Sequence, residues 1–504
     1  MIQESTIWSA NPWWKDPLRI RDDQKIKDWE ESATRYEPGL LRAIRYDFAP
    51  SNTVVYSLRG PRQVGKTTLV KLQIREFLDR GVCPWNIFYY ALDLAGTAQD
   101  LVGLIERYMK TSSGLRGENR CYLFLDEISS VSGWQKGIKW LYDSGSLQNC
   151  TVVVTGSHSV DIRNAAERLP GRRGEVSDNH DKILLPMKFS EYASMRNDGI
   201  RDALKKHLSS VQDRRAVFKR LLSKEIDDRI YWVGAHQDEL DGLLREYMIT
   251  GGMPKTVNEK IRTGGISEGL YKTYLDSIVG QWSALGKNES KLKQFCMAAI
   301  KSQGSHTSWN SLSKEADIGS GDTASDYAYT LKDMFVLSAI HRYGDDKRIP
   351  MIKSDKKLYF RDPYFLHVFN GLASAKDSFG ASLDYVDQED NQGRIVEGVT
   401  ADHLIRWAFA LSNKKQTFDY CNHVFYWKDK SNREVDFVLY GVDDIEVPIE
   451  VKYRKRINFR ELSGLASFLG SSPGTKSGLV VSRYDLEVRS EYVVIPAAVF
   501  LLLM

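Results

Sequence analysis

The feature that most constrains the fold of this chain is the stretch Gly60-Pro61-Arg62-Gln63-Val64-Gly65-Lys66-Thr67. It matches the pattern G-x-x-x-x-G-K-[ST]. Residues 53–58 before it are largely apolar and β-branched, as in a buried strand, and residues 67–78 after it have the pattern of a helix. A strand, a glycine-rich turn and a helix in this order direct a row of backbone N–H groups at a chain of phosphates. The sequence therefore predicts an α/β fold with a parallel sheet and a nucleotide-binding P-loop.

The residues of this loop have separate roles in binding a nucleotide. Gly60 and Gly65 let the backbone approach the phosphates, Lys66 reaches the β- and γ-phosphates, and the Thr67 hydroxyl holds Mg²⁺. The other residues predicted to contact the nucleotide in this segment are Pro61, Arg62, Gln63, Val64 and Thr68. The predicted cofactors are ATP and Mg²⁺.

A second apolar stretch, residues 121–125, ends in the carboxylates of Asp126 and Glu127. Carboxylates at the end of a strand that follows a P-loop are typical of an ATPase site. We expect Asp126 to lie near the Mg²⁺ ion and Glu127 to polarise the attacking water. The alternative is a strand that ends in acidic residues without a catalytic role.

Two later segments add candidate residues to this site. Residues 151–155 are predicted to be a strand, and Ser157 or His158 after it is placed to contact the γ-phosphate. Arg172 lies in a charged segment, where an arginine can stabilise transition-state charge on the γ-phosphate. The sequence leaves open whether Arg172 acts in its own subunit, in a neighbour's site, or only as a solvated residue.

Six motifs occur in a fixed order, at residues 60–68, 125–127, 155–157, 169–172, 184–192 and 251–254. In these motifs the chain resembles the archaeal and bacterial AAA+ ATPases that are related to the origin-recognition and signal-transducing ATPase groups. The resemblance implies a P-loop domain joined to a winged helix and a nuclease-like C-terminal domain. His158 departs from the family pattern, because relatives often carry Asn after Thr-Gly-Ser.

Changes in pattern along the chain predict five parts. They are an N-terminal extension (1–50), the P-loop ATPase core (51–190), a helical lid (191–289), a winged-helix domain (290–379) and a nuclease-like α/β domain (380–504).

The last of these parts contains a second candidate site. Asp436 lies in one predicted strand, and Glu450 and Lys452 lie two apart in the next, so their side chains share a face. Two carboxylates can hold Mg²⁺ against a scissile phosphate, and the lysine can orient the attacking water.

This D…E-x-K arrangement resembles that of the PD-(D/E)XK nucleases, and the resemblance implies that Glu397 is an additional acidic metal ligand. Val435 stands where the motif has proline. Two alternatives stay open: a salt-bridged sheet edge, and a nuclease fold with an inactive site. Basic residues close to this site favour contact with a phosphate backbone; they are Lys452, Arg454, Lys455, Arg456 and Arg460.

Composition limits the remaining possibilities. The net charge of +4 neither requires nor excludes nucleic acid, and the five cysteines are scattered without a C-x-x-C pair, which fits a reducing compartment. The N-terminus lacks a secretory pattern, and the apolar C-terminal tract, residues 492–504, is too short to cross a bilayer. We expect a cytoplasmic protein that makes no membrane contact and has DNA as its partner, with assembly into a homo-oligomer left open.

The sequence supports a first functional hypothesis and two alternatives. In the first, ATP hydrolysis is coupled to the processing or remodelling of branched or broken DNA, with a metal-dependent nuclease site. The second is a nucleotide-gated switch or binding module whose nuclease-like domain is inactive. The third is an ATP-driven remodeller that moves along DNA.

Overall fold

The structure is a computed structural model, and it describes residues 3–45, 53–93, 95–117, 120–156, 169–176, 179–344, 348–443, 445–472, 474–475 and 477–504. The chain separates into two compact units, residues 1–185 and residues 186–504. The first unit contains the P-loop, and the second contains the C-terminal carboxylates.

The first unit is built on a parallel sheet with the strand order β2-β3-β4-β1-β5. Its strands are β1 (Val54–Arg59), β2 (Ile87–Ala91), β3 (Cys121–Asp126), β4 (Cys150–Thr155) and β5 (Asp181–Ile183). Its helices are α1 (Glu4–Ala10), α2 (Gln24–Glu31), α3 (Lys66–Asp79), α4 (Ala98–Ser112) and α5 (Trp134–Asp143). The central strands β3 and β4 are buried along their whole length, as expected for a sheet covered on both faces. This confirms the predicted parallel α/β fold.

The strand order places the two halves of the predicted nucleotide site at one edge of the sheet. Strand β4 pairs with β1 on one side and with β3 on the other, and all three run in the same direction. The loop after β1 and the carboxylate that ends β3 therefore emerge at the same edge. This is the edge at which ligands bind in open α/β sheets.

The second unit combines many helices with a mixed nine-stranded sheet, whose order is β13-β14-β12-β11-β10-β9-β7-β8-β6. Its strands are β6 (His306–Thr307), β7 (Leu337–Tyr343), β8 (Pro350–Phe360), β9 (Val424–Lys428), β10 (Glu434–Val442), β11 (Ile445–Lys452), β12 (Gly478–Ser482), β13 (Glu487–Val488) and β14 (Tyr492–Pro496). Its helices are α6 (Phe189–Arg196), α7 (Asp198–His207), α8 (Val211–Leu222), α9 (Asp228–Gly234), α10 (Gln237–Thr250), α11 (Pro254–Thr263), α12 (Glu268–Ala284), α13 (Glu289–Ser302), α14 (Trp309–Glu315), α15 (Gly321–Asp333), α16 (Pro363–Asn370), α17 (Ser378–Asp387), α18 (Glu389–Leu411), α19 (Ser463–Ser471) and α20 (Ala497–Leu503).

This sheet runs through both of the last two predicted domains. Strand β7, from the predicted winged helix, pairs in parallel with β9 of the predicted nuclease-like domain. A shared apolar cluster joins them, in which Tyr343 of β7 packs with Phe425 of β9 and Phe468 of α19. The continuous sheet brings strand β8 of the former region to the carboxylates of the latter. The five-part division itself stays a prediction.

The Gly251-Gly252 motif has a structural role in the second unit. A Cβ atom on Gly252 would lie 1.9 Å from the carbonyl oxygen of Met187. The Met187 N–H donates to the Gly252 carbonyl at 2.9 Å, and the Gly252 N–H donates to Asp362 at 2.8 Å. Glycine is required because the two backbones approach this closely. The contact joins Met187 of the motif at residues 184–192 to Gly252 of the motif at residues 251–254.

The apolar C-terminal tract forms β14 and the buried helix α20. Within the described part of the chain, every helix is too short or too polar to span a bilayer.

Candidate nucleotide site and C-terminal carboxylate cluster

Both glycines of the P-loop have positive φ angles, and Gly60 is also closely packed. Gly60 has a φ of +150°, and a Cβ atom there would lie 2.0 Å from the carbonyl oxygen of Leu184. Gly65, with a φ of +103°, precedes the first residue of α3. Because glycine has no side chain to cap a helix, the first N–H groups of α3 are left to bind an anion.

The other predicted loop residues follow this geometry. Pro61, Arg62, Gln63 and Val64 form the turn between β1 and α3, and Thr68 lies in the first turn of α3.

Lys66 points back into the loop. Its Nζ donates to the carbonyl oxygens of Gly60 at 3.1 Å and Pro61 at 3.0 Å. Burial is the main reason why the pKa of Lys66 falls to about 8, although Glu127 and Asp126 act in the opposite direction. A phosphate in the loop would favour the charged ammonium.

Asp126 is the centre of a hydrogen-bond network in the same region. Its Oδ2 accepts from the Thr67 hydroxyl at 2.8 Å and from the Tyr89 hydroxyl at 3.1 Å, and its Oδ1 accepts from the Thr155 hydroxyl at 3.0 Å. A threonine hydroxyl beside a buried carboxylate supplies the oxygen ligands that Mg²⁺ prefers. The predicted pair Thr67 and Asp126 therefore fits a magnesium ion. The sequence does not predict Tyr89, and it predicts Thr155 only as part of the Thr-Gly-Ser motif, without its contact with Asp126.

Glu127 follows Asp126 with a left-handed backbone, at a φ of +52°. Burial raises the pKa of Asp93, with Glu127 adding to the effect, so a third carboxylate lies at this edge. The proposed role of Glu127 in activating water stays a prediction. Ser157 and His158 lie outside the described residues.

Arg172 lies away from the P-loop of its own subunit. Its Nε donates to Asp143, at the end of α5, at 2.7 Å. The next residue, Arg173, accepts a hydrogen bond from the Val55 N–H at 3.0 Å. Val55 is near the start of β1, whereas the P-loop follows the end of that strand. In this structure Arg172 is thus at the opposite edge of the sheet, which argues against action in its own subunit.

In the second unit, the three residues of the predicted D…E-x-K motif lie together. Strands β10 and β11 are antiparallel neighbours. The Asp436 N–H donates to Glu450 at 3.1 Å, and the Val451 N–H donates to Asp436 at 2.9 Å. Lys452 lies 2.5 Å from Glu450 and 4.0 Å from Asp436. The predicted spacing thus produces one compact group.

A second lysine, which sequence reasoning missed, occupies the middle of this group. The Nζ of Lys357, on β8, lies 2.9 Å from Asp436, 3.1 Å from Glu397 and 2.5 Å from Glu434. Its side chain is 0% exposed. The Tyr359 hydroxyl also donates to Glu397. We call Lys357, Lys452, Glu397, Glu434, Asp436 and Glu450 the C-terminal cluster.

The carboxylates of this cluster have unequal acidities. Burial opposes ionisation of Asp436, but Lys357 and Lys452 outweigh it and lower its pKa to about 2. Burial, with repulsion from Asp436, raises the pKa of Glu450 to about 8 and that of Glu397 to about 7. Asp436 is therefore the most acidic of these three carboxyl groups, and the two lysines compensate its charge.

As arranged, the cluster does not fit a divalent ion. The Lys357 ammonium pairs with Asp436 and Glu397, and Lys452 pairs with Glu450, so all three predicted metal ligands are engaged by lysines. Among the residues that the structure describes, no three His, Cys, Asp or Glu side chains are grouped so as to hold a metal.

Three family models match successive parts of the chain. Residues 52–193 match the AAA domain, while residues 241–376 and 392–500 match two domains of unknown function. The chain contains a P-loop domain of the AAA ATPase type. The matched residues include the P-loop, Asp126 and Glu127.

Two uncharacterised proteins are similar in sequence. One from Haemophilus influenzae is 30% identical over 147 residues, which cover 28% of this chain and 33% of that protein. One from Methanocaldococcus jannaschii is 25% identical over 332 residues, 64% of this chain and 59% of that protein. The chain thus spans less than two thirds of either relative.

Two solved structures are weakly similar to this chain. A Walker-type ATPase of Pyrococcus abyssi is 12% identical, with a TM-score of 0.38, over 68% of this chain and 95% of that one. The Orc1 protein of Aeropyrum pernix, solved in complex with DNA, is 14% identical, with a TM-score of 0.27, over 74% and 97%. Neither supports a conclusion about the function of this chain.

Proposed function

We propose that this protein is a Mg²⁺-dependent ATPase whose nucleotide state controls its binding to DNA. The observation that carries the proposal is the contact between Thr67 and Asp126, at the same sheet edge as the open N-terminus of α3 and the Lys66 ammonium. These groups bind phosphates and Mg²⁺ in P-loop ATPases. Glu127, next to Asp126, is the proposed group that orients the attacking water.

Hydrolysis is proposed to involve more than one subunit. Arg172 is held at the opposite edge of the sheet from its own P-loop. A residue at that edge serves catalysis by reaching the γ-phosphate of a neighbouring copy. Mixing Lys66→Ala protein, which lacks a working loop, with Arg172→Ala protein should then restore part of the hydrolysis, because mixed assemblies contain one intact site. No activity above the sum of the two variants would contradict this role.

The DNA contact is proposed to lie beside the C-terminal cluster. Arg454, Lys455 and Arg456 follow β11 and are exposed. Exposed cations of this kind bind a phosphate backbone without reading its sequence. Helix α15, in the predicted winged-helix domain, instead exposes Asp322 and Asp326. Asp326 pairs with Lys287, but Asp322 repels phosphate, so α15 is the less favourable surface.

We favour a C-terminal domain that binds DNA without cutting it. Lys357 engages the carboxylates that metal-dependent cleavage requires. The processing of branched or broken DNA remains the competing hypothesis, with Asp436, Glu450 and Lys452 as its catalytic residues. Cleavage in the presence of Mg²⁺ that is abolished by Glu450→Gln would establish it.

The test of the ATPase is hydrolysis in Mg²⁺ with single-stranded, duplex, four-way-junction or no DNA. Lys66→Ala provides the blank. We expect hydrolysis that depends on Lys66 and that one form of DNA stimulates.

A variant in which Arg454, Lys455 and Arg456 are replaced by alanine tests the DNA surface, and it should lose the stimulation and keep the basal rate. The matched control removes three exposed lysines elsewhere in the second unit, Lys205, Lys206 and Lys314. Equal loss in both variants would contradict the assigned surface.

A further inference from the structure

The N-terminal segment, defined here as residues 3–31, covers the edge strand β2 of the ATPase sheet. The Asn11 side chain donates to the Tyr89 carbonyl at 3.0 Å and accepts from the Tyr89 N–H at 2.7 Å. The indole N–H groups of Trp13 and Trp14 both donate to the Ile87 carbonyl, at 3.1 and 3.0 Å. Side chains of this segment thus bind the backbone groups that a neighbouring strand would otherwise pair.

The same segment reaches the nucleotide site through a chain of three side chains. Asp23 lies 3.1 Å from the Nζ of Lys71, on α3. That Nζ lies 3.4 Å from the centre of the Tyr89 ring, and the Tyr89 hydroxyl donates to Asp126. Lys71 and Tyr89 are both buried. Asp23, Lys71, Tyr89 and Asp126 therefore form a continuous path from the N-terminal segment to the proposed magnesium ligand.

We infer that Tyr89 is a positioning residue for Asp126 and that the N-terminal segment holds it in place through Asp23 and Lys71. The inference rests on the proposed nucleotide site. When the Thr67 hydroxyl turns to a magnesium ion, Tyr89 is the donor that remains on Oδ2, while Thr155 and the Glu127 N–H hold Oδ1. A cation over the face of a phenol is attracted to the ring and fixes its orientation. Asp23 in turn compensates the buried charge of Lys71.

The test separates positioning of the carboxylate from simple packing. Tyr89→Phe keeps the ring and removes only the hydroxyl. Tyr90→Phe is the matched control, because the Tyr90 hydroxyl contacts Thr6 rather than Asp126. The readout is the affinity for a fluorescent ATP analogue with Mg²⁺ and with EDTA, measured beside kcat and thermal stability.

We expect Tyr89→Phe to reduce the gain in affinity from Mg²⁺ by about three- to tenfold, the loss typical of one hydrogen bond. The affinity in EDTA should be unchanged, since loop N–H groups and Lys66 bind the phosphates. The kcat should fall more than the affinity, and Tyr90→Phe should match the wild type. An unchanged magnesium response in Tyr89→Phe, or an equal loss of affinity in EDTA, would overturn the inference.

Two further variants test the N-terminal part of the path. Lys71→Met and Asp23→Asn should reduce the magnesium response in the same direction as Tyr89→Phe. A wild-type response in both would overturn the role of the N-terminal segment. If the wild type itself shows no Lys66-dependent nucleotide binding, the proposed function fails instead, so the two failures are distinguishable.

Discussion

Replacing Lys357 with methionine removes the internal cation from the C-terminal cluster while keeping a side chain of similar length. Asp436 and Glu397 lose the ammonium that lies within 3.1 Å of each, in a site where that lysine is 0% exposed. Removing one partner of a buried ion pair typically costs about 3–5 kcal/mol of stability. The lowering of the pKa of Asp436 from 3.8 to about 2, to which Lys357 contributes most and Lys452 and the Val451 N–H also contribute, corresponds to roughly 2 kcal/mol at neutral pH.

The sign of the pH dependence follows from the direction of that shift. A carboxyl group whose pKa is lowered by folding stabilises the protein above its unfolded pKa, and the contribution disappears as pH falls through the folded pKa. The wild type should therefore lose this contribution between about pH 4 and 2. In Lys357→Met the remaining carboxyls should take up protons near neutral pH. Its destabilisation should then be smaller at pH 5 than at pH 8.

The assay is unfolding of the full chain, combined with hydrogen exchange of residues 434–452, so that the second unit is followed separately. Lys301→Met is the control, because Lys301 forms an exposed pair with Glu315 that is worth at most about 1 kcal/mol.

In nucleotide-free Lys357→Met, Mn²⁺ should replace the missing cation. An ion at 100 times its dissociation constant would restore about 2.7 kcal/mol.

The opposite result would be protection of residues 434–452 by Mn²⁺ in the nucleotide-free wild-type protein that Asp436→Asn abolishes. A metal would then share the cluster with Lys357, and the case against metal-dependent cleavage would fall. The same comparison remains informative if Lys357→Met does not fold, because it uses only the wild type and Asp436→Asn.

Two other predictions concern the P-loop. Gly60→Ala should abolish nucleotide binding and lower the stability of the first unit, because its Cβ would lie 2.0 Å from the Leu184 carbonyl oxygen. A titration with a fluorescent nucleotide, together with thermal unfolding, measures both effects. Wild-type affinity in this variant would contradict the prediction. Because the pKa of Lys66 is about 8, affinity for ATP should fall as pH rises through 8, and binding near pH 8 should take up a proton. Calorimetry in buffers of different ionisation enthalpy measures that proton, and equal apparent enthalpies would contradict the prediction.

The parts of the site that the sequence predicts are those whose residues are neighbours along the chain or follow a strand. The P-loop is one continuous stretch, and Asp126 ends an apolar strand, so local pattern was sufficient for both. Glu450 and Lys452 share a face because they are two residues apart in one strand. In each case the geometry of a single element determines the position.

The contacts and positions that the sequence does not predict depend on which strands become neighbours in the fold. Lys357 belongs to a region predicted to be a separate winged helix, and only the pairing of β7 with β9 brings β8 to the cluster. Tyr89 reaches Asp126 because β2 pairs with β3. The place of Arg172 is fixed by the bond between Arg173 and Val55. Neither hydropathy pattern nor motif spacing contains these long-range pairings.

The central claim is that the nucleotide in the P-loop controls DNA binding by the second unit. The most direct measurement is the affinity of the wild type for a labelled DNA junction at fixed salt in Mg-ATP, in Mg-ADP and without nucleotide, with Lys66→Ala in parallel. We expect the affinity to change between ATP and ADP in the wild type and to be independent of nucleotide in Lys66→Ala. Equal affinities for the wild type in all three conditions would contradict it.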